Sequence, residues 1–115
     1  MEIYAKEVRQ FIAWCRPRLG LKGPIRVTLV NSDLQQGRQR TFGFYDPRTH
    51  RIKVCIKDRH VTDCLRTLAH ELVHRAQAQL RPLTGDDGAT GSDIENEANA
   101  LAGILLRLWN QEPRK

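Results

Sequence analysis

The chain has 115 residues and a formal net charge of +6 at pH 7. This length predicts a single domain spanning residues 1–115, because two hydrophobic cores would not fit. A hydrophobic fraction of 40% and a charged fraction of 28% are ordinary for a folded soluble protein and exclude a disordered chain. No apolar run is long enough to span a membrane, and the N-terminus lacks the apolar core of a signal peptide, so we expect a cytoplasmic protein without a membrane partner.

The positive charge is concentrated in the first half of the chain. Residues 1–60 carry 13 Lys/Arg against 5 Asp/Glu, whereas residues 61–115 carry 6 against 8. Such an asymmetry favours an anionic partner such as nucleic acid for the first half. A solvated basic surface with no partner explains it equally well, since no aromatic residues are interleaved with the basic ones as in a base-stacking groove.

The N-terminal part of the chain predicts a helix followed by a strand. Residues 2–16 place apolar side chains at steps of three and four, and Pro17 is expected to end this amphipathic helix. Residues 25–30 alternate apolar and polar side chains, which is the period of a half-buried strand. The polar residues 31–40 are predicted to form a loop.

An antiparallel hairpin is predicted next. Residues 41–45 and 51–57 are rich in strand-forming side chains, and residues 46–50 between them have the composition of a turn. In the second strand, Ile52, Val54 and Ile56 should face the core. Cys55 and its basic neighbours should face the other side.

Two further helices are predicted in the second half. The first starts with Thr62 as its N-cap and runs to about Leu80. Its buried stripe comprises Val61, Leu65, Leu68, Leu72 and Ala76. The acidic, glycine-rich residues 84–91 are predicted to be a loop without a metal role. The last helix begins at Ser92, and its apolar stripe comprises Ile94, Ala98, Leu101, Leu105 and Leu108.

The strongest functional pattern is the pentapeptide HELVH, which runs from His70 to His74 and reads as HExxH. On a helix, residues four apart lie on one face about 5–6 Å apart at Cβ, so both imidazoles can bind one metal ion. Glu71 lies close enough to activate a water molecule without binding the metal itself. His50 and His60 lie in or beside turns and are interpreted as bystanders.

A catalytic zinc ion needs a third protein ligand, and the last helix offers acidic candidates. Glu95 and Asn99 share a helix face, so we predict Glu95 as the ligand and Asn99 as the acceptor of a liganding histidine's ring N–H. Glu97 replaces Glu95 if the helix is rotated. Glu95 also completes a capping box with Ser92, in which it would only satisfy the backbone N–H of Ser92.

The run TLAHELVHRAQ, followed by the ExxAN pattern from Glu95 to Asn99, resembles the gluzincin metallopeptidases. It is most similar to their smallest members, the minigluzincins and the ImmA/IrrE-type and SprT-like proteases. The G-x-Y-D-P turn that starts at Gly43 resembles the hairpin before their active-site helix. The resemblance covers residues 41–106. It implies an α+β fold with an N-terminal helix, a small three-stranded sheet whose edge strand lines the cleft, an active-site helix and a C-terminal glutamate helix.

The predicted function is that of a zinc-dependent peptidase with Zn²⁺ as cofactor. His70, His74 and Glu95 would bind the ion, and Glu71 would act as general base and then general acid. A peptide or protein substrate would lie along the edge strand of the hairpin, where Arg51 or Lys53 would favour acidic or nucleic-acid-associated substrates. The alternative is a basic module that binds nucleic acid or protein and has a structural, vestigial or latent metal site.

Overall fold

Three helices and two small sheets form the structure, a computed structural model that describes residues 2–36, 39–80 and 92–112. The predicted α+β class is confirmed. None of the described helices is both long and apolar enough to cross a bilayer. In chain order the elements are α1 (Glu2–Leu19), β1 (Arg26–Val30), β2 (Leu34–Gln36), β3 (Gln39–Thr41), β4 (Gly43–Asp46), β5 (Arg51–Cys55), α2 (Val61–Leu80) and α3 (Asp93–Gln111).

The main sheet has three described strands in the order β1-β5-β4. Strand β4 pairs with β5 as the predicted antiparallel hairpin, with Gly43 opposite Val54, and β1 pairs with β5 in parallel. The middle strand is therefore β5, and β4 is an edge strand. The expectation that Arg51 and Lys53 lie on the edge strand is wrong, because β1 occupies the other side of the strand that carries them.

The residues predicted as a polar loop contain a second sheet. Strands β2 and β3 form an antiparallel pair in which Leu34 lies opposite Thr41. Gln35, Gln39 and Arg40 are exposed. The polar composition, which predicts a loop, therefore results from contact of this hairpin with solvent. Backbone hydrogen bonds form this pair without an alternating apolar pattern in the sequence.

Two helix boundaries differ from the sequence prediction. Helix α1 continues through Pro17 to Leu19, because proline near a helix end removes only one backbone hydrogen bond. The Arg18 side chain donates to the carbonyl of Trp14 at 2.8 Å and so satisfies an oxygen in this last turn.

The cap of α2 is His60 and not Thr62. The ring Nδ1 of His60 accepts from the backbone N–H of Thr62 at 3.2 Å. The carbonyl of His60 accepts from Asp63 and Cys64, each at 3.1 Å. An imidazole nitrogen thus replaces the expected side-chain hydroxyl as the acceptor at this helix start.

The core lies between the sheet and the three helices. Trp109 of α3 packs edge-on against Phe11 of α1, with ring centroids 5.2 Å apart. Leu106 and Trp109 are buried, whereas Leu108 is 42% exposed, so the prediction that Leu108 belongs to the buried stripe is wrong. The large indole of Trp109 fills the space against α1 and sets the rotation of the end of α3.

The second face of β5 is also covered. The sequence predicts that Cys55 lies on the face opposite to the core, and that this face is either in contact with solvent or covered by something small. The side chain of Cys55 is fully buried, so the face is covered. Its Sγ lies 3.3 Å from the carbonyl oxygen of Ser32, and the Sγ of Cys64 on α2 lies 3.7 Å from the carbonyl oxygen of Cys55. The turn after β1 and the start of α2 therefore cover this side of the strand.

Candidate metal centre

Three metal-ligating side chains from two helices meet at one point. His70 and His74 lie one turn apart on α2, and α3 packs against α2 so that Glu95 faces both. The Nε2 of His70 lies 2.7 Å from Oε1 of Glu95, and the Nε2 of His74 lies 3.1 Å from its Oε2. The two Nε2 atoms are 3.1 Å apart. All three ligand atoms lie within 4.8 Å of one another.

The start of α3 allows Glu95 to cap the helix and to face the histidines at once. The backbone N–H of Glu95 donates to the side-chain oxygen of Ser92 at 3.1 Å, which is one half of the predicted capping box. Both carboxylate oxygens of Glu95 lie within hydrogen-bond distance of the histidine nitrogens. The cap uses the backbone of Glu95, while its carboxylate belongs to the cluster.

Gln77 sets the orientation and the tautomer of His74. The amide nitrogen of Gln77 donates to the carbonyl of Ile94 at 3.0 Å and to Oε1 of Glu97 at 2.8 Å. Because both partners are acceptors, the amide oxygen of Gln77 must face Nδ1 of His74, which lies 2.7 Å away. His74 therefore carries its proton on Nδ1, and the lone pair of Nε2 points into the cluster.

The sequence patterns predict no role for Gln77 and make Glu97 only a substitute ligand. In the structure Glu97 contacts Gln77 and orients its amide, so it does not face the histidines. A signal for Gln77 exists in the sequence, since it lies three residues after His74 and hence on the same side of the helix.

His70 is held by a different partner. Its side chain is hydrogen-bonded to Asn99, the residue predicted to hold a liganding histidine. Burial lowers the pKa of His70 below its ordinary value, against the opposing effect of the Glu95 carboxylate, while the neighbouring His74 lowers it further. His70 is thus disposed to be neutral near pH 7, which is the form of imidazole that binds metals.

Glu71 is a buried acid next to the cluster. Its side chain is only 7% exposed. Burial, together with the negative charge of Glu95, raises the pKa of Glu71 to about 8. Carboxyl groups with pKa values near neutrality are suited to accept and return protons.

A cavity of about 370 Å³ opens beside these residues. Its lining includes Phe42, Gly43, His70, Glu71 and Asn99. Strand β4 approaches α2 closely here, because a Cβ atom on Gly43 would lie 2.6 Å from Cγ2 of Thr67 and 2.8 Å from the carbonyl oxygen of Lys53. The start of the edge strand and the acidic side chain of Glu71 therefore border the same space.

The three side chains fit a divalent cation. With its proton on Nδ1, His74 directs the lone pair of Nε2 at the carboxylate of Glu95. The lone pair and the carboxylate repel each other unless a proton or a cation lies between them. Two imidazole nitrogens and one carboxylate oxygen are a common ligand set for zinc in catalytic sites. The three residues present could therefore hold a divalent metal ion.

The two remaining histidines, His50 and His60, lie outside the candidate metal centre. His50 interacts with the hydroxyl of Tyr45 in the β4–β5 turn, and His60 caps α2. Residues 84–91 lie outside the described residues.

Comparisons of the chain with protein-family models, curated proteins and solved structures found no match.

Proposed function

We propose that this protein is a zinc-dependent peptidase. The observation that carries the proposal is the convergence of His70, His74 and Glu95 within 4.8 Å, at a cavity that Glu71 also lines. Each of the two histidines has a hydrogen-bond partner that orients its ring, as is common for metal-binding histidines. A buried acid beside a candidate metal site is the arrangement that hydrolysis by an activated water requires.

His70, His74 and Glu95 would hold the zinc ion, which would supply a Lewis acid to polarise a carbonyl group and to lower the pKa of water towards about 7. The carboxylate of Glu71 then takes a proton from the attacking water and delivers it to the leaving amine. His70 and His74 remain neutral ligands.

The edge strand supports a peptide as the substrate. Strand β4 has β5 on one side, and its first residue, Gly43, lines the cavity next to Glu71. An extended peptide that adds to this edge through backbone hydrogen bonds would run past Glu71.

We also infer a cytoplasmic location. The cysteines Cys15, Cys55 and Cys64 are free thiols buried in the fold. Free cysteines are typical of proteins that work in a reducing compartment.

Elemental analysis combined with peptide cleavage tests the function. The zinc-loaded protein should cleave a peptide mixture prepared from a whole-cell digest, and a chelator should abolish cleavage. The variant Glu71→Gln should bind one zinc ion per chain and cleave nothing, because the amide cannot accept the proton. Full activity in this variant would refute the mechanism. DNA binding that weakens steeply with salt, without any cleavage, would favour the basic binding module instead.

A further inference from the structure

A second cavity adjoins the one that contains the candidate metal centre. It has a volume of about 420 Å³ and shares Phe42 and Arg66 with the first cavity. Phe42 is 47% exposed, so its ring forms part of the accessible wall between the two spaces. A peptide that occupies the first cavity would therefore place a neighbouring side chain in the second.

Basic side chains dominate this second cavity. Its lining contains the four cationic side chains of Arg40, Lys57, Arg59 and Arg66 and the two carboxylates of Asp58 and Asp63. Arg40 and Lys57 both pair with Asp33, at 3.1 Å and 3.7 Å. With Asp58 and Asp63 counted beside Asp33, the four cations exceed the three carboxylates by one. Arg59 and Arg66 are the two cations of this lining that do not pair with Asp33.

Arg59 is rigid and keeps its charge. Its guanidinium donates to the carbonyls of Cys55 and Asp63, each at 2.9 Å, and to the hydroxyl of Thr67 at 2.7 Å. It also lies over the ring of Phe42, 4.2 Å from the centroid. All these partners are uncharged groups, so they orient the guanidinium without neutralising it.

Arg66 is the accessible cation at the junction. It projects from α2 one turn before His70 and is exposed. No carboxylate within the described ranges lies at ion-pair distance from its guanidinium. Arginine binds carboxylates through paired hydrogen bonds, and a free guanidinium beside a substrate cavity is suited to that contact.

We propose that the second cavity is a specificity subsite that binds the carboxylate of an Asp or Glu side chain in the peptide substrate, with Arg66 as its main contact. This inference rests on the proposed peptidase function for the identity of the ligand. It replaces the sequence-based expectation that Arg51 and Lys53 select acidic substrates, since those residues lie on the middle strand. An extended strand rises about 3.3 Å per residue, so the selected side chain lies within a few residues of the scissile bond.

Peptide binding to the zinc-loaded Glu71→Gln protein tests the subsite without requiring catalysis. Two fluorescein-labelled decapeptides of the same Ala/Gly sequence are compared, one with two Glu residues and one with Gln at those positions. By fluorescence anisotropy, the Glu peptide should bind about tenfold more tightly. Adding Arg66→Glu should abolish that preference. The matched charge reversal Arg9→Glu, on an exposed residue of α1 that lines neither cavity, should preserve it.

Equal binding of the two peptides, or a preference that survives Arg66→Glu, would overturn the subsite. A competition experiment gives a further test, in which a single-stranded oligonucleotide or unlabelled Glu peptide displaces the labelled Glu peptide. If the oligonucleotide acts at the lower concentration, the subsite is also overturned, because the cavity would then belong to a nucleic-acid surface. Loss of hydrolysis is not a readout here. A failure of the peptidase proposal therefore shows as absent cleavage by the wild-type protein, with the acidic preference unchanged.

Discussion

The amide oxygen of Gln77 lies 2.7 Å from Nδ1 of His74, one turn earlier on the same helix. The amide nitrogen of Gln77 binds Ile94 and Glu97 of the neighbouring helix α3. Docking of α3 therefore has two effects at once. It brings Glu95 to the histidines, and it orients the ring of His74.

Replacing Gln77 with Met should weaken zinc binding while leaving the fold intact. The thioether has a similar length but cannot orient the ring N–H of His74. Loss of such a partner typically costs about 10–100-fold in metal affinity. Competition with a chromogenic zinc chelator measures the change. Gln79→Met is the control, since within the described part of the chain Gln79 bonds the loop at Gly20 and Lys22, and unchanged affinity is expected there.

Glu95 and Glu97 should behave differently when each is replaced with Ala. Glu95→Ala removes a predicted ligand and should abolish stoichiometric zinc in the purified protein. Glu97→Ala should retain zinc with reduced affinity, because it only frees the amide of Gln77. Elemental analysis of both variants checks this. If only Glu97→Ala loses stoichiometric zinc, then Glu97 and not Glu95 is the third ligand.

Glu71 should destabilise the metal-free protein at neutral pH. Its pKa rises from 4.5 to about 8 on folding, so the folded state binds more protons than the unfolded state between these values. The free energy of unfolding must then fall as pH increases from 4.5 towards 8. At pH 7 the penalty is on the order of 3 kcal/mol, because each pKa unit corresponds to about 1.4 kcal/mol.

Urea denaturation with EDTA present measures this effect. Glu71→Gln should be more stable than the wild-type protein at pH 7, and the difference should shrink as pH approaches 4.5. Equal stability of the two proteins across this range would contradict the burial argument. Higher stability of Glu71→Gln, the expected result, would show that Glu71 is a residue whose functional role opposes stability.

Gly43→Ala should destabilise the fold and distort the cavity. The added methyl group would meet Cγ2 of Thr67 at 2.6 Å and the backbone oxygen of Lys53 at 2.8 Å. Overpacking of this kind costs about 1–3 kcal/mol. Thermal unfolding should show a lower Tm, and peptide cleavage should fall because β4 moves away from Glu71. A variant with unchanged Tm would contradict the close approach of β4 to α2.

Local periodicity accounts for the parts of the fold that the sequence predicted. The helices and the β4–β5 hairpin are confirmed because their apolar side chains repeat with the period of one element. The β2–β3 pair had no such signal, since its side chains are largely polar and its stability comes from backbone pairing. The wrong assignment of Leu108 has a similar origin, because the packing of Trp109 against Phe11 of α1, which no local period records, turns Leu108 towards solvent.

The sequence by itself determined that His70 and His74 share a helix face with Glu71 beside them, because spacing along one helix sets that relation. Contacts between elements decided the rest. The packing of α3 on α2 brought Glu95, and not Glu97, to the histidines and placed Gln77 against His74. The order of strands in the sheet put β4 at the edge and Lys53 in the middle. Such relations depend on side chains far apart in the chain, which no local period records.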